Sequence, residues 1–358
     1  MRFSSSVAVF CSTVVITILG SVSANAQSPN PYYNPNSQLV ADYIAKYLYS
    51  PEVQMLRTAY APGCMDTNSA PQGPQVTVPC EDAFWTTSDN NPTCATLADF
   101  GYSDIATACL TKIFHTLKFL TDGAQPPQET SAWESGWRYE VYYGIPIPVG
   151  SPKDQHFIVQ VGNLTQTDPF GCTAPPCPYS IKADTNTGSV SLSNINGPVD
   201  IVAPQAINYW LRGNMSMARP YAQNLVGRWD GHGIPQQLNV PPYCYPGLTC
   251  YSPWELGQVM FVMRVLGLDT STARVSTTAN KNTTYAAVFN DMVSQLWTIQ
   301  GNYNSNGSLP NEYHADNIGF GGADAENQDG ALLPFSITVI NRVKNAYGCQ
   351  PKGTCPKP

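Results

Sequence analysis

A helix that is apolar on every face can persist only where other elements cover it on all sides. This chain contains one. Ser252-Pro253-Trp254-Glu255 reads as a helix start: a Ser cap, Pro in the first turn, and Glu three residues after Ser to reach back to the cap. The segment that follows, 256–268, is apolar except for Gln258 and Arg264. It demands a covering layer, and its neighbours have the pattern to supply one. Residues 219–229 place Tyr221, Ala222, Leu225, Val226 and Trp229 on one helical stripe, and 285–299 do the same with Tyr285, Val288, Phe289, Met292, Val293 and Leu296. A second nearly all-apolar segment, 331–343, follows a Gly/Asn/Asp-rich loop at 301–330, and Pro334 within it forces a kink or a late helix start. One-faced helices alternating with helices buried all round are expected when helical hairpins stand in a ring, an α/α toroid whose loops converge at one rim.

The rest of the chain fits a mainly α reading with one interruption. Helical periodicity marks 37–48, 104–120 and 204–212, with Asn36 or Ser37 placed to cap the first. His115 lies at the edge of the second stripe, where a satisfied boundary residue is the ordinary reading. Between about 133 and 193 the period falls to two, as in Trp137–Tyr143 and His156–Val161; Tyr179–Ala183 and Ser189–Leu192 then flank a turn-rich linker. A small antiparallel β insertion in a single domain of residues 27–358 is the simplest account, and the ring is incomplete if only three or four hairpins form it. Glu140, in the first of these strands, is a candidate acid or an outward-facing strand carboxylate. Residues 51–92 lack a period and read as a long loop held by a disulfide.

Residues 1–26 have the form of a secretory signal: Arg2, an apolar run from Val7 to Leu19, and Ala24-Asn25-Ala26 as the cleavage site. The run is short for a membrane span, and no later stretch offers eighteen uninterrupted apolar residues, so a secreted product without a membrane span is expected. Cys11 leaves with the signal and the ten cysteines that remain favour disulfides; proximity suggests Cys64–Cys80, Cys94–Cys109, Cys172–Cys177, Cys244–Cys250 and Cys349–Cys355. Sequons at Asn163, Asn214, Asn282 and Asn306 mark surface positions, as in a glycoprotein. A net charge of −7 argues against nucleic acid, whose backbone requires clustered Lys and Arg. The chain lacks a phosphate loop, a dinucleotide fingerprint, a nucleophile elbow and a His-Glu-x-x-His motif, and calls for no cofactor.

Candidate site residues cluster in the loops. Asp230 and Asp89 each lie shortly after a Trp, and with Glu326 and His232 they form the catalytic set; Trp85, Asn90, Arg57, Trp229, His314 and Glu312 are the substrate-binding candidates. Aromatic faces stack on pyranose rings, and carboxylates and amides bond hydroxyls. Each has a structural alternative: Asp230 before Gly231 is also a common turn dipeptide, and Asp89-Asn90 a cap or Asx-turn. Glu312, His314, Asp316 and Asp324 could instead hold calcium, although their spacing is not that of an EF-hand.

Leu56-Arg57, Trp85 with Ser88-Asp89-Asn90, Trp229-Asp230-Gly231-His232-Gly233, and Gly321-Gly322 with Glu326 form a series similar to one found in exported α/α-toroid proteins of the polysaccharide lyase and glycoside hydrolase type, closest to an uncharacterised exported group. The resemblance covers the helical chain and not the β insertion, and implies glycan as partner without assigning catalytic residues. It departs from the usual series in the long loop between Cys64 and Cys80 and in the position of Pro334. The expected function is polysaccharide cleavage by glycoside hydrolysis, which needs two carboxyl groups flanking the bond. The alternatives are a non-catalytic carbohydrate-binding or cell-surface protein and a lyase, in which His232 or His314 would act as base with Arg57 or Arg228 neutralising a uronate. A cleft lined by paired carboxylates favours cleavage. One lined by aromatics with one carboxylate or none favours binding.

Overall fold

The computed structural model describes residues 30–51, 54–57, 65–68, 76–79, 90–121, 181–184, 189–192, 199, 202–203, 206–207, 210, 215–235, 248–323 and 325–345. They are mainly helical with little strand. The central helix, like all of the elements below, belongs to the unit Pro31–Pro358.

The helices are α1 (Pro35–Tyr43), α2 (Asn90–Leu97), α3 (Ser103–Thr121), α4 (Met215–Gly227), α5 (Pro253–Leu266), α6 (Tyr285–Tyr303), α7 (Ala325–Leu332) and α8 (Ile337–Asn345). Helix α5 is the one that the sequence requires to be enclosed: every residue in it is buried except Glu255 and Arg264. Ser252 caps it, accepting from Trp254 N at 3.1 Å, and Gly267 closes it in the left-handed conformation at φ 70°. Arg264 stays near the core by stacking between the Tyr32 and Phe289 rings, 4.3 and 4.4 Å from their centroids, while pairing with Asp269. Helix α6 buries one stripe, Tyr285, Val288, Phe289, Met292, Leu296 and Ile299. Helix α4 buries Ala218, Tyr221, Ala222, Leu225 and Val226. Upstream, Val199, Val202, Ala203, Ala206, Ile207 and Trp210 are helical and buried at three- and four-residue spacing.

The tightest packing in the core is the crossing of α5 and α7. A Cβ at Gly257 would overlap the carbonyl oxygen of Gly330, and one at Gly330 would lie 2.7 Å from Trp254 Cα. The same crossing carries a polar clasp: Asn327 Oδ1 accepts from Ser252 Oγ (2.8 Å) and Trp254 N (3.2 Å), and Asn327 Nδ2 donates to Asn311 Oδ1 (2.8 Å). One residue along, Gln328 mimics a strand partner, donating to Leu309 O and accepting from Leu309 N at 2.9 Å each.

Several boundaries differ from the sequence expectation, and α6 runs on to Tyr303, into the stretch read as a loop. Residues 325–330 belong to helix α7 rather than to a loop, because Gly330 is needed for backbone contact and not for a turn. Pro334 ends α7 in a short 3-10 turn (Leu333–Phe335), and α8 starts afresh. The cap of α8 comes from 237 residues earlier in the chain: Asp99 accepts from Ser336 Oγ (2.6 Å), Thr338 N (3.0 Å) and Thr338 Oγ1 (2.6 Å). Helix α1 is capped by Asn34 rather than Asn36 or Ser37, with Asn36 N donating to Asn34 Oδ1 at 2.9 Å. It runs on into a π-helical turn, Ile44–Leu48.

The strands are short: β1 (Tyr49–Ser50), β2 (Met55–Leu56), β3 (Met65–Asn68), β4 (Val76–Pro79), β5 (Ile181–Asp184), β6 (Ser189–Leu192), β7 (Cys250–Tyr251), β8 (Arg274–Val275), β9 (Thr283–Thr284), β10 (Glu312–His314) and β11 (Gly319–Phe320). Strands β3 and β4 form a hairpin inside the stretch read as an aperiodic loop. Strands β5 and β6 pair Ile181 with Leu192, as the alternation there predicts, and the rest of 133–180 lies outside the described residues. The order β11-β10-β7 makes one antiparallel sheet, pairing Tyr313 with Tyr251 and His314 with Cys250. It joins the loop after α4 to the loop after α6. Of the suggested disulfides Cys94–Cys109 is present, tying α2 to α3, and Cys250 is also disulfide-bonded. Cys64, Cys80, Cys172, Cys177, Cys244, Cys349 and Cys355, the signal segment, Glu140, Asn163 and Asn214 lie outside the described residues. No described helix is long and apolar enough to cross a membrane.

The glycines of the crossing separate from an ordinary helical glycine by substitution. Gly330→Ala should lower the unfolding free energy by about 3 kcal/mol or more through overpacking against backbone. Gly301→Ala, in α6 with nothing within 4 Å of its Cβ position, should raise it by up to about 1 kcal/mol. Urea denaturation of both variants checks this pair of opposite signs.

Candidate functional site

The turn after α4 is built from one carboxylate. Asp230 Oδ1 accepts from His232 N (2.9 Å) and Gly233 N (3.0 Å), while Asp230 N donates to Gly233 O (3.2 Å). Gly231 takes φ +100°, which a side chain would strain. Gly233 has no room for one: a Cβ there would lie 2.5 Å from both Tyr251 Cδ1 and Tyr313 Oη. The second oxygen, Asp230 Oδ2, accepts from Tyr251 Oη at 2.8 Å. Tyr251 stacks on Tyr313, with centroids 5.2 Å apart, and Tyr313 Oη donates to His232 O at 3.0 Å. Sheet and turn are thereby locked together.

Charge gathers at the same rim. Arg228 donates from Nε (3.1 Å) and Nη2 (2.6 Å) to Asn224 Oδ1. Burial lowers its guanidinium to about 10, and the Glu255 carboxylate opposes that fall. Burial also raises the Tyr313 phenol well above its usual range, and the negative charges of Glu255 and Asp230 push it the same way. Tyr251 is raised by burial first and by its bond to Asp230 second. Both phenols stay protonated donors. Two carboxylates, one guanidinium and two tyrosines therefore share a small region where the end of α4, β7, the start of α5 and β10 meet.

The sequence-derived residues are distributed unevenly around this region. Asp230 and His232 are there, His232 exposed and its ring 6.4 Å from that of Tyr251. Trp229 is 4% exposed and packs in the core, so its ring offers no face to a sugar. Glu312 is buried in β10 opposite Phe320, and His314 lies with its ring 4.5 Å from the Phe320 ring and its Nε2 buried without a hydrogen-bond partner among the described residues. Arg57 is held by backbone, its Nη1 donating to Tyr49 O at 3.3 Å. Asn90 opens α2, and Glu326 is the second residue of α7 rather than a loop residue. Trp85, Asp89 and Asp324 lie outside the described residues. Asp316 accepts from Ile318 N at 3.0 Å in a tight turn, and among the described residues no group of three His, Cys, Asp or Glu side chains could hold a metal.

A second feature, at the opposite end of the α4/α5 hairpin, has no counterpart in the sequence reading. A groove of about 560 Å³ opens between α4, the C-terminal end of α5, the loop 267–273, β8 and the start of α6. Helix α4 contributes Arg219 and Gln223, one turn apart on the same face. The loop contributes the hydroxyls of Thr270, Ser271 and Thr272; Arg274 and Tyr285 complete the wall. The Tyr285 phenol is bonded to Gln223 and raised by burial, so it too stays protonated. Tyr285 N donates to Ala273 O (3.2 Å) and Ala286 N to Ser271 O (3.0 Å), which pins the loop onto α6. Arg219 sits in a stretch of mixed polarity before the clear stripe of α4, and nothing local to Arg274 shows that it faces α4. Their meeting depends on the hairpin closing.

No family model, curated protein or solved structure matches the chain.

The tyrosine lock has a signature in alkali. Tyr251 holds its proton above the ordinary 10.0 when folded and releases it near that value when unfolded. Stability is therefore complete below about pH 10 and falls as pH climbs through the interval above it. Tyr251→Phe should cost about 1.5 kcal/mol near neutrality, the loss of a bond to a charged acceptor, and should make the decline above pH 10 shallower. Denaturant unfolding at pH 7, 9, 10 and 11 reads both effects.

Proposed function

We propose that the chain is a secreted carbohydrate-binding protein built as an α/α toroid. The toroid reading is supported by the pairing of an outer one-faced helix, α4 or α6, with an inner buried one, α5 or α7. The binding reading is carried by a single observation: among the described residues, the groove wall combines an amide, three hydroxyls and two guanidinium groups with the largely buried Tyr285, and contains no carboxylate. Such a lining can hydrogen-bond a sugar, but it supplies neither the acid nor the base of a glycosidase. Its volume is within the range of small-ligand sites.

The hydrolase reading keeps one observation in its favour. Asp230 and Glu255 both act on Tyr313, so two carboxylates lie near one position at the rim. Against it, both oxygens of Asp230 already accept hydrogen bonds that hold the turn.

Affinity electrophoresis on a panel of neutral and acidic polysaccharides, run beside assays for reducing ends and for absorbance at 235 nm, separates the readings. Retardation by at least one glycan without release of product is the expected result. Product formation that Asp230→Asn abolishes in a folded protein would replace binding with hydrolysis, and the absence of both retardation and product would remove the glycan reading.

A further inference from the structure

We propose that the groove between α4 and the 267–274 segment selects an acidic sugar, a uronic acid or its equivalent, through Arg219 and Arg274. This rests on the carbohydrate reading for the sugar and on the groove itself for the charge.

The chain has only 18 Lys and Arg against 25 Asp and Glu, so two arginines on one small groove run against its overall balance. Both are exposed, and among the described residues neither pairs with a carboxylate. The acid closest to Arg274 in sequence, Asp269, is engaged elsewhere, in its ion pair with Arg264. The groove is therefore positive by construction, in a protein that is negative as a whole. Guanidinium groups present planar donor forks that match the two oxygens of a carboxylate.

The remaining wall has the chemistry for the rest of a sugar. Gln223 is exposed and bonded to the Tyr285 phenol, which fixes the amide at the groove edge. Ser271 Oγ accepts from Ala273 N at 3.2 Å, leaving its proton free to be donated. Thr270 and Thr272 are exposed on either side of it. The first amides of α6 are already engaged, Ala286 N with Ser271 O and Ala287 N with Thr284 Oγ1 (3.2 Å). Recognition of the acid consequently falls to the two arginine side chains and not to the helix end.

The probes are D-glucuronate, D-glucose and inorganic phosphate, titrated by calorimetry against the full-length protein and its Arg219→Ala and Arg274→Ala variants. Glucuronate should bind, with glucose at least about tenfold weaker. Each variant should lose about tenfold in glucuronate affinity and none in glucose affinity, and raised NaCl should weaken glucuronate alone. Both side chains are exposed, so the variants should melt with the wild type; a variant that melts early is replaced by Arg→Gln at the same position. Equal binding of glucose and glucuronate, or variants that bind glucuronate as the wild type does, overturns the selection while leaving carbohydrate binding intact. Phosphate bound as tightly as glucuronate, with no response to glucose, leaves an oxyanion site and overturns the sugar. No response to any probe overturns both.

Discussion

The contact between Gly257 and Gly330 sets the distance between α5 and α7, and the other parts of the described core are placed relative to it. No Cβ fits at either position, so the two backbones approach as closely as main-chain atoms allow. That approach brings Asn327 against the N-terminus of α5, where it accepts from Ser252 and Trp254. It also puts Gln328 opposite Leu309, which fixes the strand-forming loop that follows α6. A methyl group at the crossing would push all of these apart together.

From that crossing the polar rim follows. The loop after α6 returns as β10 and pairs with β7, so Tyr313 lies on Tyr251 and both reach the Asp230 turn. Burial of two phenols is tolerable because each has an acceptor, Asp230 Oδ2 for Tyr251 and His232 O for Tyr313. Unpaired, either hydroxyl would cost on the order of 1–3 kcal/mol. The rim is thus a closed hydrogen-bond network that holds two loops together. The opposite end of the α4/α5 hairpin is open, with arginines that have no carboxylate partner among the described residues. On the proposed reading, structure and binding are divided between the two ends.

Much of the helical pattern is legible in the sequence, because burial on all faces or on one face leaves a period that local composition displays. Enclosure of α5, the single stripe of α6 and the Cys94–Cys109 bridge all follow from residues close in the chain. What is not legible arises from contacts between distant residues. Asp99 caps α8 across 237 positions, Gly330 resembles a loop residue until Gly257 is placed beside it, and Asp230 has the same sequence signature whether it holds a turn or donates a proton. Tyr251 and Tyr313 carry no local signal of their stacking. The groove is the extreme case: the pairing of β8 with β9 sets Arg274 beside Tyr285, but Arg219 joins them only through the packing of α4 beside α5.

The most direct measurement is diffraction from crystals soaked with D-glucuronate. Density for the sugar in the groove, its carboxylate against Arg219 or Arg274 and its ring near Tyr285, is the predicted result. Sugar density at the Asp230 turn with the groove empty would contradict the division of roles between the two ends of the hairpin.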